Sequence, residues 1–190
     1  MMAGQALAGG FADAPVEAAR AFRAAMEATA RPGRIAGVRG AAPPAPMSVA
    51  AGVLLLTLAD PTTPVHLAPS HDRADLRGWL TFHTGAPLVS ADEAMFAVGT
   101  WDALAPFDRF AVGTAEYPDR SATLVVEMAA LAAEGARLTG PGIRGTARLS
   151  LPEVAAFQAN RARFPLGFDV FLTCGDRLAA LPGSTVVEGA

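Results

Sequence analysis

The sequence contains no lysine, and all fifteen of its strongly basic residues are arginines. Enzymes that form a Schiff base, including pyridoxal-phosphate enzymes with an internal aldimine, need a lysine amine. A Walker A loop needs a lysine that reaches the nucleotide phosphates. The chain alone can therefore perform neither chemistry, although a composition rich in alanine, arginine, glycine and proline accounts for the absence.

Cysteine and histidine are also scarce. Cys174 is the single cysteine, which excludes an intrachain disulfide and a CxxC motif and fits a reducing cytoplasm. The three histidines, His66, His71 and His83, show neither an HExxH motif nor the spacing of metal ligands on a helix. The sequence therefore predicts no metal site, and one cysteine cannot hold an iron–sulfur cluster.

Charge is sparse and evenly spread. Only 17% of the residues are charged, the net charge is −3, and the arginines form no run, so nucleic acid and anionic membranes are not expected partners. The longest apolar run, residues 49–59, is about half of the roughly 20 residues that a membrane span needs. The N-terminus lacks the basic region of a signal peptide. The sequence predicts a cytoplasmic protein. Its small share of charged residues indicates weakly that a partner protein covers part of the surface.

The apolar pattern predicts one α/β domain over residues 1–190, with residues 1–12 flexible. At this length one core suffices, since a compact fold buries roughly 70% of the unfolded surface. Helices are predicted from the N-cap Asp13 to the stop at 31–33, and at 49–59, 72–80 and 152–163. Strands are predicted at 34–38, 64–67, 95–98, 121–131, 136–139, 146–150, 167–174 and 177–181. This alternation indicates a sheet covered on both faces, with an antiparallel part near the C-terminus.

Three helices carry predictions about burial. Residues 49–59 are apolar on all sides, which predicts a central buried helix. The apolar side of the last helix is predicted to hold Val154, Phe157 and Phe164. On the first helix, the residues predicted to share one face are Ala18, Phe22, Ala25, Met26 and Thr29.

Residues 140–145, Gly-Pro-Gly-Ile-Arg-Gly, match the pattern GxGxxG. A dinucleotide site also needs a helix that opens within the glycines and an acidic residue about 20 positions later. Here Pro141 separates the first two glycines, and the alternating segment at 146–150 follows. The motif is therefore interpreted as a hairpin turn.

Four other positions have a structural and a functional interpretation. His83, beside a glycine turn, is a hydrogen-bonded structural residue or a ligand contact, and the first is favoured. Cys174 ends an apolar strand and is interpreted as a small hydrophobe more readily than as a nucleophile. Asp169 interrupts that strand and is predicted to join a buried ion pair, the alternative being an interface or ligand contact. Arg161 and Arg163 fit a helix C-terminus better than a phosphate site.

Several separate strings together resemble one family, the H subunit of the bacterial carbon–phosphorus lyase core complex. They run in the family's order through almost the whole chain: FRAAMEATARPGRI (22–35), LLLTLADPTTPVHL (54–67), FHTGAPLV (82–89), ATLVVEMAAL (122–131), RLTGPGI (137–143) and FPLGFDVFLTCGDRLAALP (164–182). Residues 91–120 and 145–163 have no matched string.

The resemblance implies a three-layer α/β/α sandwich with a mixed sheet, similar to pyridoxal-phosphate-dependent transferases but without the cofactor. It implies assembly with the G, I and J subunits of the complex. It also implies a part, with the G, I and L subunits, in transferring the ribose triphosphate of ATP to methylphosphonate with release of adenine. No catalytic, cofactor-binding or metal-binding residue is carried over.

Three hypotheses follow. The first is an accessory, non-catalytic subunit of that complex, which needs no cofactor of its own. The second is a stand-alone enzyme in which the loop around His83 binds a phosphorylated small molecule. The third is a binding module that forms a homodimer when its partners are missing.

Overall fold

A computed structural model describes residues 7–189 of the chain. Its helices are α1 (Ala14–Ala30), α2 (Val49–Leu58), α3 (Ala74–Thr84), α4 (Trp101–Leu104) and α5 (Val154–Arg161). Its strands are β1 (Ala36–Gly37), β2 (Val65–Leu67), β3 (Phe96–Thr100), β4 (Thr123–Glu127), β5 (Ala136–Thr139), β6 (Ala147–Leu149), β7 (Asp169–Cys174), β8 (Arg177–Leu181) and β9 (Val186–Glu188). Short 3-10 turns occupy Ala91–Glu93, Phe107–Arg109 and Pro118–Arg120.

The central sheet is mixed and has six strands in the order β1-β8-β7-β4-β3-β2. Strands β2, β3, β4 and β7 are parallel, whereas β8 runs antiparallel to β7 and β1 antiparallel to β8. The tight turn between β7 and β8 makes the antiparallel part that the sequence predicts near the C-terminus. The α/β fold class is therefore confirmed.

Helix α2 lies at the centre of the first face of the sheet, as predicted. Ser48 begins the helix by accepting a hydrogen bond from the Ala51 backbone N–H at 3.1 Å, a cap that typically contributes about 1 kcal/mol. The side chains of Val53, Leu54 and Leu55 are fully buried. Because α2 packs between the sheet and its neighbours α1 and α3, apolar residues are needed around its whole circumference.

Helix α1 has the predicted bounds but a different buried face. Ala21, Ala25 and Ala28 are buried, whereas Phe22 and Met26 are 50% and 53% exposed. Alanines allow α1 to lie close against α2, and the larger side chains point to solvent. Asp13 is the N-cap residue, but its side chain makes no cap hydrogen bond. Instead, the carboxylate of Glu17 accepts from the backbone N–H groups of residues 12 and 13.

The second face of the sheet has a mixed cover. Helices α4 and α5 share it with a three-stranded antiparallel sheet in the order β6-β5-β9. Strand β9 has no counterpart in the sequence prediction. Phe157 is buried on this side, as predicted, but Phe164 is 50% exposed because α5 ends at Arg161 and the chain turns away. A helical layer thus covers the first face, while the second layer combines helices and strands.

The glycine-rich segment at 140–145 joins β5 to the antiparallel β6, which confirms the hairpin interpretation. Gly142 has a φ of +78°, and a Cβ at this position would lie 1.9 Å from the Ala30 carbonyl oxygen. The turn therefore needs glycine both for its backbone conformation and for its close approach to the end of α1.

The segment before α1 contacts α3 within the described part of the chain. The Trp79 indole N–H donates to the Ala8 carbonyl at 2.9 Å, and the Ala42 N–H donates to the Gly9 carbonyl at 2.8 Å. Residues 1–6 of the segment predicted to be flexible lie outside the described residues. Among residues 7–189, no helix has the length and apolar character needed to cross a bilayer.

Gly78 offers a test of the helical assignment of α3. Its φ is not positive, and a Cβ added there meets no atom within 4 Å. The substitution Gly78→Ala is expected to stabilise the protein by about 0.5 to 1 kcal/mol, since alanine costs less backbone entropy in a helix. Thermal unfolding should show a higher Tm. A lower Tm would mean that residue 78 does not lie in a helix with open space around its Cβ position.

The turn after α2 predicts a pH-dependent contribution to stability. Asp60 accepts from the Thr62 hydroxyl at 2.7 Å, the Thr62 N–H at 2.7 Å and the Thr63 hydroxyl at 2.9 Å, and these bonds lower the pKa of Asp60 below its usual 3.8. A lowered pKa stabilises the fold above pH 3.8 and loses this contribution as pH falls through the folded-state pKa. Asp60→Ala is expected to lower Tm at pH 7, with a deficit that shrinks in acid. A deficit independent of pH would contradict this assignment.

Candidate functional site

Polar side chains gather where the four parallel strands end. Ser70 and His71 follow β2, Glu127 is the last residue of β4, and Thr173 lies near the end of β7. Ligands of open α/β sheets bind at the carboxyl ends of the strands. We therefore take this group as the candidate site and refer to it as the carboxyl-edge network.

Glu127 is the hub of the network. One carboxylate oxygen accepts from the Ser48 backbone N–H at 2.7 Å, and the other lies 3.2 Å from the donating Thr173 hydroxyl. Residues 127 and 173 are register partners on the adjacent strands β4 and β7. The side chain of Glu127 is only 11% exposed. A mostly buried carboxylate thus links the start of α2 to two strands of the sheet.

His71 forms the other half of the network. It is 1% exposed, and its Nδ1 lies 2.9 Å from the Ser70 hydroxyl oxygen. The same hydroxyl accepts from the Thr100 backbone N–H at 3.1 Å, so it can donate to Nδ1. The Nε2 atom faces a carboxylate oxygen of Glu127 across 3.8 Å. This separation exceeds hydrogen-bond length, and Nε2 has no partner among the described residues.

Serine, histidine and a carboxylate are the residue types of a hydrolase triad, but this geometry differs from one. The Ser70 hydroxyl contacts the histidine that follows it in sequence, and it also accepts a backbone N–H. Neither His71 nor Glu127 lines any of three surface cavities, whose volumes are about 460, 470 and 140 Å³. The arrangement can position the ends of the parallel strands relative to the start of α2.

His83 lies apart from the network, on α3. Its Nε2 is 2.9 Å from the Leu7 carbonyl oxygen, and its ring meets the rings of Trp79 and Phe82 edge-on at 5.0 Å. Gly10 lies against the imidazole so closely that a Cβ there would be 2.4 Å from its Cε1. His83 therefore holds the segment before α1, which is the hydrogen-bonded structural arrangement favoured by the sequence.

His66 and Cys174 have separate surroundings. The Nδ1 of His66 lies 3.0 Å from the Val89 carbonyl oxygen, beside a cavity of about 470 Å³. Cys174 is partly buried and packs against the core of the second face, with its sulfur 3.6 Å from the Ala129 carbonyl oxygen. Among the described residues, no group of three or more His, Cys, Asp or Glu side chains could hold a metal ion.

The prediction of a buried ion pair at Asp169 is wrong. Asp169 is exposed at the first position of β7, and its carboxylate accepts from the Gly183 backbone N–H at 2.8 Å. The four residues that follow it in the strand are all buried, so Asp169 is exposed because it lies at the start of the strand. Arg161 ends α5, as predicted, and its guanidinium lies 4.8 Å from the centre of the Phe164 ring.

Sequence reasoning missed the roles of Glu127, Ser70 and Thr173. The available signal was a carboxylate at the end of the apolar strand TLVVE, where the carboxyl-edge rule places functional groups. The groups that this carboxylate binds or faces, at Ser48, His71 and Thr173, come from three distant parts of the chain. No spacing in the sequence could have paired them.

The fold and the carboxyl-edge network define the class of the protein. It is a mixed α/β domain in which the polar groups at the carboxyl ends of the strands form their hydrogen bonds within the domain. Comparison with known proteins then gives the family. The profile described as "Bacterial phosphonate metabolism protein (PhnH)" matches residues 9–188, and the chain belongs to this family. The resemblance found in the sequence is thereby confirmed.

Two relatives match over nearly their full length. The alpha-D-ribose 1-methylphosphonate 5-triphosphate synthase subunit PhnH of Rhizobium meliloti (strain 1021) is 45% identical over 195 residues, which cover 97% of this chain and 96% of the relative. The putative C-P lyase subunit protein HtxG of Stutzerimonas stutzeri is 31% identical over 200 residues, or 94% of this chain and 95% of the relative.

Proposed function

We propose that the chain is an accessory, non-catalytic subunit of a carbon–phosphorus lyase complex that breaks down phosphonates. The observation that carries this proposal is the family membership over residues 9–188 together with a 45% identical relative named as a synthase subunit. In this role the chain acts with the G, I and L subunits, which transfer the ribose triphosphate of ATP to methylphosphonate with release of adenine. Its direct partners are the G, I and J subunits.

The carboxyl-edge network supports a non-catalytic role. The polar groups of the network form hydrogen bonds with other parts of the same domain, and these groups belong to Glu127, Ser70 and Thr173. A catalytic base or nucleophile must instead reach the reacting atoms of a bound substrate. In the proposed role the network fixes the strand ends of a single domain spanning residues 1–190, related in architecture to pyridoxal-phosphate-dependent transferases and working without that cofactor.

An exposed apolar surface supports a subunit role. Phe22 and Met26 lie one turn apart on α1, both are about half exposed, and neither packs against the core. We name this pair the α1 patch. Exposed apolar side chains that lie next to each other can form part of a larger apolar surface of the kind that binds other proteins. In the complex, the α1 patch faces a partner subunit, and in isolation it supports a homodimer.

Adenine release tests the proposed function directly. The G, I and L subunits would be incubated with ATP and methylphosphonate, with and without this chain, and adenine would be measured by chromatography. The expected result is release that requires the chain and saturates at a fixed ratio to the G and I subunits. Equal release without the chain would overturn the proposal.

A further inference from the structure

A charged groove lies between α1 and the β7–β8 turn. Its volume is about 460 Å³, within the range of small-molecule sites. Apolar atoms of Ala21, Ala24 and Val38 form part of its lining. Arg20 from α1 and Arg39, just after β1, bring two guanidinium groups to the same groove.

These two arginines have no partner within the described part of the chain. Neither side chain forms an ion pair or hydrogen bond there, whereas Arg34 and Arg137 pair with carboxylates. A guanidinium offers five donors in a planar fork that matches the oxygens of a phosphate. Two unengaged guanidiniums on one groove therefore favour an anionic ligand with several oxygens.

The two carboxylates of the groove differ in their availability. Glu17 already accepts from the Ala12 and Asp13 backbone N–H groups, at 2.8 and 3.1 Å, so its charge is partly balanced by the start of α1. The carboxylate of Asp176 forms no hydrogen bond or ion pair with another described residue. It can accept from hydroxyl groups of a ligand.

Backbone hydrogen bonds fix the wall that carries Asp176. Its carbonyl accepts from the Val38 N–H at 2.8 Å, and the Gly175 carbonyl accepts from the Ala50 N–H at 2.9 Å. The turn is thereby attached both to the segment leading to Arg39 and to the start of α2. A site built on such fixed elements needs little rearrangement to bind a ligand.

We propose that this groove binds a phosphorylated sugar, either free or as part of a nucleotide. The phosphate oxygens accept from Arg20 and Arg39, the sugar hydroxyls donate to Asp176, and the apolar lining excludes water beneath the sugar. This binding belongs to the isolated chain and does not depend on its place in a complex.

Calorimetric titration of the full chain with ribose 5-phosphate, ATP and inorganic phosphate tests the site. Saturable binding is expected for ribose 5-phosphate, for ATP or for both. Tighter binding of ribose 5-phosphate would identify the ligand as a free sugar phosphate, and tighter binding of ATP would identify it as a nucleotide. Arg20→Ala combined with Arg39→Ala should weaken this binding at least tenfold. Asp176→Asn should weaken the binding of sugar phosphates more than the binding of inorganic phosphate. Ala24→Leu, which adds a side chain to the lining, should also weaken binding.

Arg23→Ala is the matched control, because Arg23 is an exposed arginine of α1 outside the groove. Circular dichroism would establish that each variant is folded. Equal weakening by Arg23→Ala, equal affinity for inorganic phosphate and sugar phosphates, or no saturable binding at millimolar concentration would each overturn the proposal. Because no partner subunit is present, these failures are distinct from failure of the proposed complex.

Discussion

Replacing Glu127 by alanine is expected to lower the free energy of unfolding by about 3 kcal/mol. The change removes the acceptor for the Ser48 N–H, and it leaves the buried His71 without the carboxylate it faces. The Thr173 hydroxyl loses one of its two acceptors and keeps the Val126 carbonyl oxygen at 3.2 Å. Unpaired buried donors cost about 1 to 3 kcal/mol each when the lost partner is charged. For a chain of this size, Tm should fall by about 6 to 12 °C in thermal unfolding.

Two further variants serve as controls. The first removes the charge of Glu127 but keeps a hydrogen-bond acceptor, and the second removes a glutamate outside the network. Glu127→Gln keeps an acceptor for Ser48 and should lose much less stability than Glu127→Ala. Glu188→Ala breaks an exposed pair with Arg137 and should change stability by about 0.5 kcal/mol or less. If Glu127→Ala matched Glu188→Ala, the carboxyl-edge network would not be a stabilising unit.

Combined substitution of Phe22 and Met26 by serine is expected to weaken assembly with the partner subunits by roughly 30-fold or more. Aromatic and methionine side chains are enriched at the centres of interfaces, and truncating an important one costs about 2 kcal/mol or more. The two side chains are not part of the core, so the variant should fold normally. Affinity for the co-expressed partner complex would be measured by biolayer interferometry.

Phe164→Ser is the matched control for the α1 patch. Phe164 is also half exposed, but it follows α5 on the other side of the sheet. Its substitution should leave assembly unchanged. Unchanged affinity of the Phe22/Met26 variant would remove the α1 patch from the proposed interface, and equal weakening by Phe164→Ser would show that the effect is not specific to α1.

Strong local patterns predicted much of the fold. The all-apolar segment after Ser48 is the buried helix α2, and the glycine-rich segment at 140–145 is a hairpin turn. The paired strands β7 and β8 have nearly the predicted bounds because a tight turn and an apolar run coincide there. In these segments, local propensity and tertiary packing favour the same structure.

Predictions failed where packing depended on distant partners. On α1, the larger side chains were taken to mark the buried face, but close approach to α2 requires alanine there. Strand β4 ends at Glu127, short of the predicted residue 131, and residues 129 and 130 are exposed although they are apolar. Strand β9 is only three residues long, and its pairing with β5 joins segments almost 50 residues apart.

The candidate site was less predictable than the fold. His83 was singled out for its glycine turn, and the structure shows it binding the preceding segment of the same chain. The carboxyl-edge network and the charged groove each join residues from separate elements. Their members lie too far apart in sequence for spacing to group them, whereas the parallel sheet brings its strand ends together.

The most direct test of the subunit assignment is size-exclusion chromatography with mass determination on this chain co-expressed with the G, I and J subunits. The expected result is one species that contains all four chains in a fixed ratio. Elution of the chain apart from the others, at its own mass of 19.4 kDa or twice that value, would contradict its assignment as a subunit of the complex.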